Sequence, residues 1–319
     1  MKVLITGGTG SLGKALIKKI KKLGWDIVVY SRDEGKQALS FKGDDQIQCV
    51  IGDVRDFHKL DTTMRLHKPD YVIHAAALKR VDDLEFYPDE CVKTNIKGSE
   101  NVATAALKNE VKKCILISTD KACQPVNVYG SSKFIAERIF TNFDYNSSDT
   151  IFASVRYGNV IASRGSFIPI WMDLIKDNKS INVTSLECSR FLFTLNDAVN
   201  TVLSAVESAQ GGEIFIPKIN SFNMNTIIKS IEDLLKKAIN YRIVGMRPGE
   251  KIHEDMLART ELPFTHHVSN DLLVVLPQYT RREHSYGKEY EGREFNSGLH
   301  LNNDPRYLSD LLQRGIEES

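Results

Sequence analysis

The sequence predicts an α/β protein built on a doubly wound parallel sheet with a smaller C-terminal α/β lobe. Three observations predict it. Short apolar runs divided by helical patterns fill the first half of the 319 residues, which implies βαβ units. A glycine-rich turn joins the first run to the first helix. After about residue 160 the alternation breaks down, as expected where a second lobe begins.

The strand-like runs cover residues 3–5, 27–30, 48–51, 71–74, 114–117 and 151–155. The first helix carries Leu12, Leu16, Ile20 and Leu23 on one face, with Lys14, Lys18, Lys19, Lys21 and Lys22 mostly outside. Opposite so clean an apolar stripe, the lysines read as a solvated face rather than a nucleic-acid surface. Gly24 ends that helix. Further helices are expected over about 90–109 and 128–143. Beyond residue 160, Gly165, Pro169, Pro217, Pro248 and Gly249 punctuate a mixed segment. A helix at 195–209 is expected to return to the first domain, and one at 224–238 to belong with the polar end, 284–304, in the smaller lobe. The expected division is therefore 1–165 plus about 192–212 for the first domain, and about 166–191 with 213–319 for the second.

A formal net charge of +1 gives no reason to expect nucleic acid, and no acidic tail is present. No signal peptide or transmembrane run is expected. The five cysteines, Cys49, Cys91, Cys114, Cys123 and Cys188, are scattered without a CxxC pair, and no metal site is expected. Cys49 and Cys114 fall in apolar runs, where cysteine behaves as a small hydrophobe. A reducing, cytoplasmic setting follows.

Gly7, Gly10 and Gly13 form a GxxGxxG between the first strand and its helix, the context in which glycines let backbone approach a dinucleotide pyrophosphate at a helix N-terminus. This makes the sheet Rossmann-like. Thr6, Ser11 and Leu12 share that turn. An acid usually ends the second strand of an NAD site. Here the strand ends Tyr30-Ser31-Arg32-Asp33-Glu34, and Ser31 with Arg32 suits a 2′-phosphate. NADP is favoured, and Asp33 leaves NAD open. Asp53 and Val54 stand where an adenine edge is met. Ala75, Ala76 and Ala77 are small enough for a cofactor to lie against the backbone. His74, still within its strand, reads as a packed, tautomer-fixed histidine.

The densest chemistry lies between Ile117 and Lys133. Tyr129 and Lys133 are one helical turn apart on one face. An ammonium beside a phenol favours the phenolate and lowers the tyrosine from about 10. Thr119, Asp120 and Lys121 add a hydroxyl, a carboxylate and a second amine just upstream.

Together these residues resemble the extended short-chain dehydrogenase/reductase superfamily. They resemble more narrowly the inverting UDP-N-acetylglucosamine 4,6-dehydratases of the polysaccharide biosynthesis protein family. The match is carried by residues 30–34, 77–81, 118–122, 125–130, 156–160 and 247–251, and runs to about residue 260. The resemblance implies oxidation of the sugar at C4, loss of water from C5 and C6, and hydride return to C6. It implies that Tyr129 takes the C4-hydroxyl proton while Lys133 lowers its pKa and holds the nicotinamide ribose. Asp120 would protonate the leaving C6 hydroxyl, Lys121 would be the base at C5, and Thr119 would bond the C4 oxygen. A retaining relative carries Asp-Glu at 120–121. A lysine is a base only when neutral, so its pKa must fall, through burial or a nearby cation.

Arg156, Arg190 and Arg247 are candidate diphosphate or uracil contacts; Lys79, Asn95, Asn159 and Glu250 complete the expected substrate set. The segment 289–298 resembles a sister group of capsule-sugar enzymes that dehydrate and epimerise, whose pattern lacks the tyrosine kept here at 129. The expected partners are UDP-N-acetylglucosamine or a related UDP-sugar and a second copy of the chain, through the helices near 90–109 and 128–143. A UDP-sugar 4-epimerase, a retaining dehydratase and a non-catalytic NADP-binding regulator are the alternatives.

Overall fold

A computed structural model describes residues 1–318. The first half runs β1 (Lys2–Thr6), α1 (Ser11–Lys22), β2 (Asp26–Ser31), α2 (Glu34–Phe41), β3 (Ile47–Ile51), α3 (Phe57–His67) and β4 (Tyr71–His74). Next come α4 (Val81–Phe86), α5 (Pro88–Cys91), α6 (Gly98–Lys108), β5 (Lys113–Ile117), α7 (Val128–Tyr145) and β6 (Ile151–Val155). A wider π turn, Val92–Lys97, joins α5 to α6, so the helix expected over 90–109 is interrupted.

The second half contains β7 (Asn159–Val160), α8 (Phe167–Lys176), β8 (Ile181–Val183), β9 (Ser189–Phe193), α9 (Leu195–Ser208) and β10 (Ile214–Pro217). It continues with β11 (Ser221–Asn223), α10 (Met224–Leu235), β12 (Tyr241–Ile243), β13 (Asp255–Leu257), β14 (Thr265–His267), β15 (Leu272–Val275), β16 (Phe295–Asn296) and α11 (Pro305–Glu317).

The main sheet has the order β14-β15-β10-β6-β5-β4-β1-β2-β3. Its pairs from β3 to β10 are parallel, and β15 and β14 close the far side antiparallel. All six expected strands are present. The expected boundary at 213 is corrected: β10, β14 and β15 belong to the first domain's sheet. Their apolar side chains, including Phe215, Leu272 and Val274, complete the core cluster that begins with Val3 and Ile5. The smaller lobe has its own core, where α8, α10 and α11 bring together Ile168, Trp171, Ile227, Ile231, Leu308 and Leu312.

Two expectations about faces also change. Helix α1 buries Gly13, Leu16, Ile17 and Ile20, whereas Leu23 caps the helix and is exposed. Cys49 is exposed, because β3 is the sheet edge and its outer face is uncovered.

Chain reversal at the sheet centre, between β1 and β4, opens a crevice beyond the strands' carboxyl ends. The register there places Thr6 opposite His74. Thr6 Oγ1 lies 2.7 Å from His74 Nδ1 and accepts the Ala76 N–H at 3.2 Å. Ser99 Oγ lies 3.0 Å from Nε2 and donates to the Asn95 carbonyl at 2.6 Å. Ser99 has thus spent its proton, so Nε2–H donates to Ser99 and Nδ1 accepts from Thr6. Burial, with Lys133 adding to it, pushes His74 down to about 3.

A histidine held neutral by the fold makes a pH-dependent contribution to stability. Above 6.5, the ordinary histidine value, this contribution is fully present; as the pH falls from there toward about 3, the unfolded chain binds a proton the folded chain refuses. Wild type should therefore lose more unfolding free energy than His74→Asn between about pH 7.5 and about pH 5.5, measured by urea denaturation. Equal losses would contradict the assignment.

Candidate active site

Thr119 caps a short helical turn, Asp120–Ala122, that follows β5. The Asp120 N–H is held by the Tyr157 carbonyl at 2.9 Å, which fixes the turn against the extension of β6. Helix α7 starts at an Asn127 cap and packs directly on this turn. A Cβ at Gly130 would stand 2.2 Å from the Lys121 carbonyl oxygen, so only glycine allows the approach that places Tyr129 beside Lys121.

Here Asp120 and Lys133 are buried, and Lys121 and Tyr129 are half-buried. Thr119 Oγ1 donates to Asp120 Oδ1 at 2.8 Å. Lys121 Nζ lies 3.1 Å from Asp120 Oδ1 and 3.1 Å from Glu254 Oε1. The second oxygens of Asp120 and Glu254 are buried without a hydrogen-bond partner. Burial pushes the Asp120 carboxyl up; Lys121 opposes this and Glu254 reinforces it. Glu254 is held down, because Lys121 and Arg190 outweigh its burial. Two neighbouring carboxyls are thus driven apart, one toward the acid and one toward the anion.

Lys121 departs from expectation. Burial favours its neutral form, and Arg190 adds to that, but Asp120 and Glu254 prevail and hold it well above the ordinary lysine value. Burial likewise pushes Tyr129 up to about 12; Lys121 opposes that and Asp120 adds to it. Lys133 falls to about 8 through burial, against the pull of Glu137. The cation acting on Tyr129 in this state is Lys121, not the expected Lys133.

The dinucleotide cradle is formed. Gly7 has φ +70°, and a Cβ there would meet the Ala76 Cα at 2.8 Å. Gly10 caps α1, Gly13 packs within it, and Leu12 and Ala75–Ala77 are half-buried around the crevice. Ser11 Oγ accepts the Arg164 N–H at 3.1 Å. Arg32 is exposed, with Nη1 3.7 Å from Asp53 Oδ2. Asp33 is occupied on both oxygens, capping α2 through the Lys36 N–H and pairing the Lys36 ammonium at 2.7 Å. These residues fit a bound nicotinamide dinucleotide.

Several expected contacts are corrected. Thr6 is buried beneath the cradle and serves His74 instead. The Ser31 hydroxyl is buried and accepts the Gln37 amide at 2.9 Å. The Val54 side chain is core, and its carbonyl accepts from Asn101 at 3.0 Å. Asn95 is buried and saturated, bonding both polar groups of the Leu78 backbone and the Ser132 hydroxyl. Arg156 is fully buried between Glu137 and Glu261, with guanidinium distances of 2.8 and 2.9 Å to them. Arg190 is buried against Glu250 at 2.9 Å, with Nε 3.9 Å from Glu254. Glu250 is thereby internal too.

Other expected residues remain at the surface of the crevice region. Lys79 is exposed; the mass of protein beside it lowers its amine, and Arg164 adds to this. Asn159 Oδ1 is buried without a partner, as a ligand-facing amide would be. Arg247 is half-exposed and reaches Asp82 of α4 at 2.6 Å.

The segment 247–261, read in the sequence as site only at Arg247 and Glu250, forms more of the site than that. It runs along the Thr119–Asn127 loop. Gly249 accepts from Asn127 at 2.8 Å, Lys251 donates to the Cys123 carbonyl at 2.9 Å, and Glu254 reaches Lys121. The Glu254 backbone is fixed by Ser297 through two bonds of 2.8 Å. The tail 289–298 therefore positions an active-site carboxylate. The available signal was Glu254 itself, an acid directly before the apolar strand β13.

The polysaccharide biosynthesis protein family model matches residues 3–275. The chain belongs to that family. An inverting UDP-N-acetylglucosamine 4,6-dehydratase of Campylobacter jejuni is 43% identical over 275 residues, 84% of this chain and 80% of that protein. A UDP-glucose 4-epimerase of Rickettsia massiliae is 40% identical over 272 residues, 82% and 78% respectively. The X-ray structure of Pen from Bacillus thuringiensis superposes with a TM-score of 0.91 at 34% identity, covering 99% of this chain and 97% of that one. The dTDP-glucose 4,6-dehydratase DesIV of Streptomyces venezuelae shares the fold, with a TM-score of 0.72 at 19% identity, over 79% and 87%. The family resemblance read from the motifs is thus borne out.

Arg156 should behave as a structural residue. Arg156→Met leaves Glu137 buried without its cation, and should cost about 3–5 kcal/mol in urea denaturation. A variant of wild-type stability with weakened UDP binding would restore the diphosphate assignment.

Proposed function

We propose that this protein is a C5-inverting UDP-N-acetylglucosamine 4,6-dehydratase that uses NADP. The observation that carries the reading is the buried Asp120–Lys121 pair set beside Tyr129. A Tyr/Lys pair alone serves epimerases and dehydratases alike. A carboxyl pushed toward its acid form next to an amine is what elimination of water needs.

The turn from Gly7 to Gly13 and Lys133 would hold a nicotinamide dinucleotide, which would supply the redox chemistry, taking up hydride from C4 and giving it back at C6. Tyr129 takes the C4-hydroxyl proton, and Thr119 holds the same oxygen. The C4 ketone acidifies C5–H, which Lys121 removes. Asp120 delivers its proton to the C6 hydroxyl, which leaves as water. Hydride at C6 of the resulting enone leaves an enolate, and a solvent-derived proton is added at C5 on the face opposite the one Lys121 deprotonated. Lys133 supports Tyr129 and the cofactor ribose. Arg32 supplies charge for a 2′-phosphate, and the double engagement of Asp33 argues against its holding a free ribose hydroxyl. Asn159, Lys79 and Arg247 are the remaining candidates for the UDP-sugar.

The same reading includes self-association. Val92, Phe134 and Ile135 are large apolar side chains left exposed on the α5–α6 junction and α7, the helices expected to meet a second copy, and Phe86 and Tyr87 are exposed just before them in the chain. No helix among the described residues is long and apolar enough to cross a membrane. The five free cysteines fit the cytoplasmic setting read from their spacing.

Incubation with UDP-N-acetylglucosamine in deuterated water, followed by NMR, should yield a 4-keto-6-deoxy sugar with C5 inverted and deuterated. An intact C6 hydroxyl with inverted C4 would establish the epimerase reading. Bound NADP with no product at any protein concentration would establish the regulator. Lys121→Ala should keep nucleotide binding and lose at least about a hundredfold in dehydration; retained turnover would remove Lys121 from the mechanism.

A further inference from the structure

Lys121 must lose a proton before it can act at C5, and its surroundings restrict where that proton goes. The groups facing its amine or the Glu254 carboxylate are few. From the Thr119–Ala122 turn come Thr119 and Asp120; from α7 comes Tyr129; from β9 comes Arg190; from the segment 247–261, a strap along that turn, come Lys251 and Glu254. Arg190 and Lys251 are cations and accept nothing. Tyr129 is reserved for the C4 hydroxyl. Asp120 contacts the amine, but it cannot keep a proton for the C6 hydroxyl and also receive one from Lys121.

Glu254 remains. Its Oε1 is 3.1 Å from Lys121 Nζ, and its side chain is buried. Its Oε2 is buried with no hydrogen-bond partner. In the resting ion pair Lys121 and Arg190 hold the carboxylate as the anion against its burial, and the dry, unpartnered oxygen is the position left open to a proton. The backbone of Glu254 is pinned by Ser297, which fixes the point from which its side chain reaches Lys121.

We propose that Glu254 is the internal proton acceptor that discharges Lys121 for C5 deprotonation. The proton leaves Nζ, the N–H bond breaks, and an O–H bond forms on Glu254; the amine lone pair is then free to take the C5 proton. Charge is conserved within the cluster, with an ammonium–carboxylate pair becoming an amine and a carboxylic acid. Glu254 does not touch the sugar in this scheme and acts through Lys121. The inference rests on the reading of Lys121 as the C5 base.

The conserved proton count gives a readout that a merely structural role would not move. Wild type trades no proton with water to activate Lys121, so its pH profile for C5–H exchange with deuterated solvent carries the Tyr129 and Lys133 titrations, which every Glu254 variant shares. In Glu254→Gln, Lys121 must discharge to solvent. The ratio of its exchange to that of wild type should be at most about one-tenth at neutral pH and climb about tenfold per pH unit until Lys121 itself titrates. Glu254→Asp, which restores a carboxylate, should give a reduced ratio that does not change with pH.

A Glu254→Gln to wild-type ratio that does not change with pH, whatever its size, overturns the proposal. Should that variant fail to fold, Glu254→Asp decides: a ratio climbing about tenfold per pH unit despite the retained carboxylate shows that Lys121 discharges to solvent and overturns the proposal, and a constant ratio upholds it. The two readings fail separately. A wild type that forms no 4-keto-6-deoxy product removes the dehydratase reading, whereas normal product with unchanged Glu254→Gln limbs removes only Glu254.

Discussion

The site depends on one buried cation, Arg156. Its guanidinium stands at the end of β6 and binds Glu137 of α7 on one side and Glu261 of the 247–261 strap on the other. It also donates to the Met256 carbonyl at 3.0 Å. Glu137 lies one turn beyond Lys133, and Met256 lies two residues beyond Glu254. One side chain thereby ties the helix that carries Tyr129 and Lys133 to the strap that carries Glu254. Removing two carboxylates and a guanidinium from water is costly, and only their mutual pairing offsets it. The arrangement specifies geometry more than it adds stability.

That geometry makes the proton-handling cluster a product of both lobes. The first domain supplies Thr119, Asp120, Lys121, Tyr129 and Lys133. The smaller lobe and its strap supply Arg190 and Glu254. Without Glu254, Lys121 would face one carboxylate instead of two, and Asp120 would lose a neighbour that favours its protonated form. The chemistry assigned to the Asp120–Lys121 pair is thus conditioned by a residue far away in the chain.

Local patterns made the first half of the chain legible. Short apolar runs located six strands, and the glycine turn located the crevice. Spacing placed Tyr129 and Lys133 on one helical face. The strand at 214–217 was harder, because its sheet partner β15 lies about sixty residues on and pairs antiparallel. Arg156 and Arg190 were read as phosphate contacts because guanidinium chemistry suits phosphate. Sequence spacing does not reveal that buried carboxylates at Glu137, Glu261 and Glu250 already occupy them. Asn95 and Thr6 failed in the same way, as polar groups satisfied internally. A base at Lys121 requires its pKa to fall; the second carboxylate that holds its proton instead comes from a strap that no local pattern connects to it.

The central claim is that one hydride leaves C4 and returns to C6, with water lost in between. Substrate carrying deuterium at C4 tests it most directly, followed by mass spectrometry and NMR of the isolated product. The account predicts that the label appears in the C6 methyl group of a 4-keto product, without loss to solvent. Label retained at C4 of a sugar that keeps its C6 hydroxyl would contradict it.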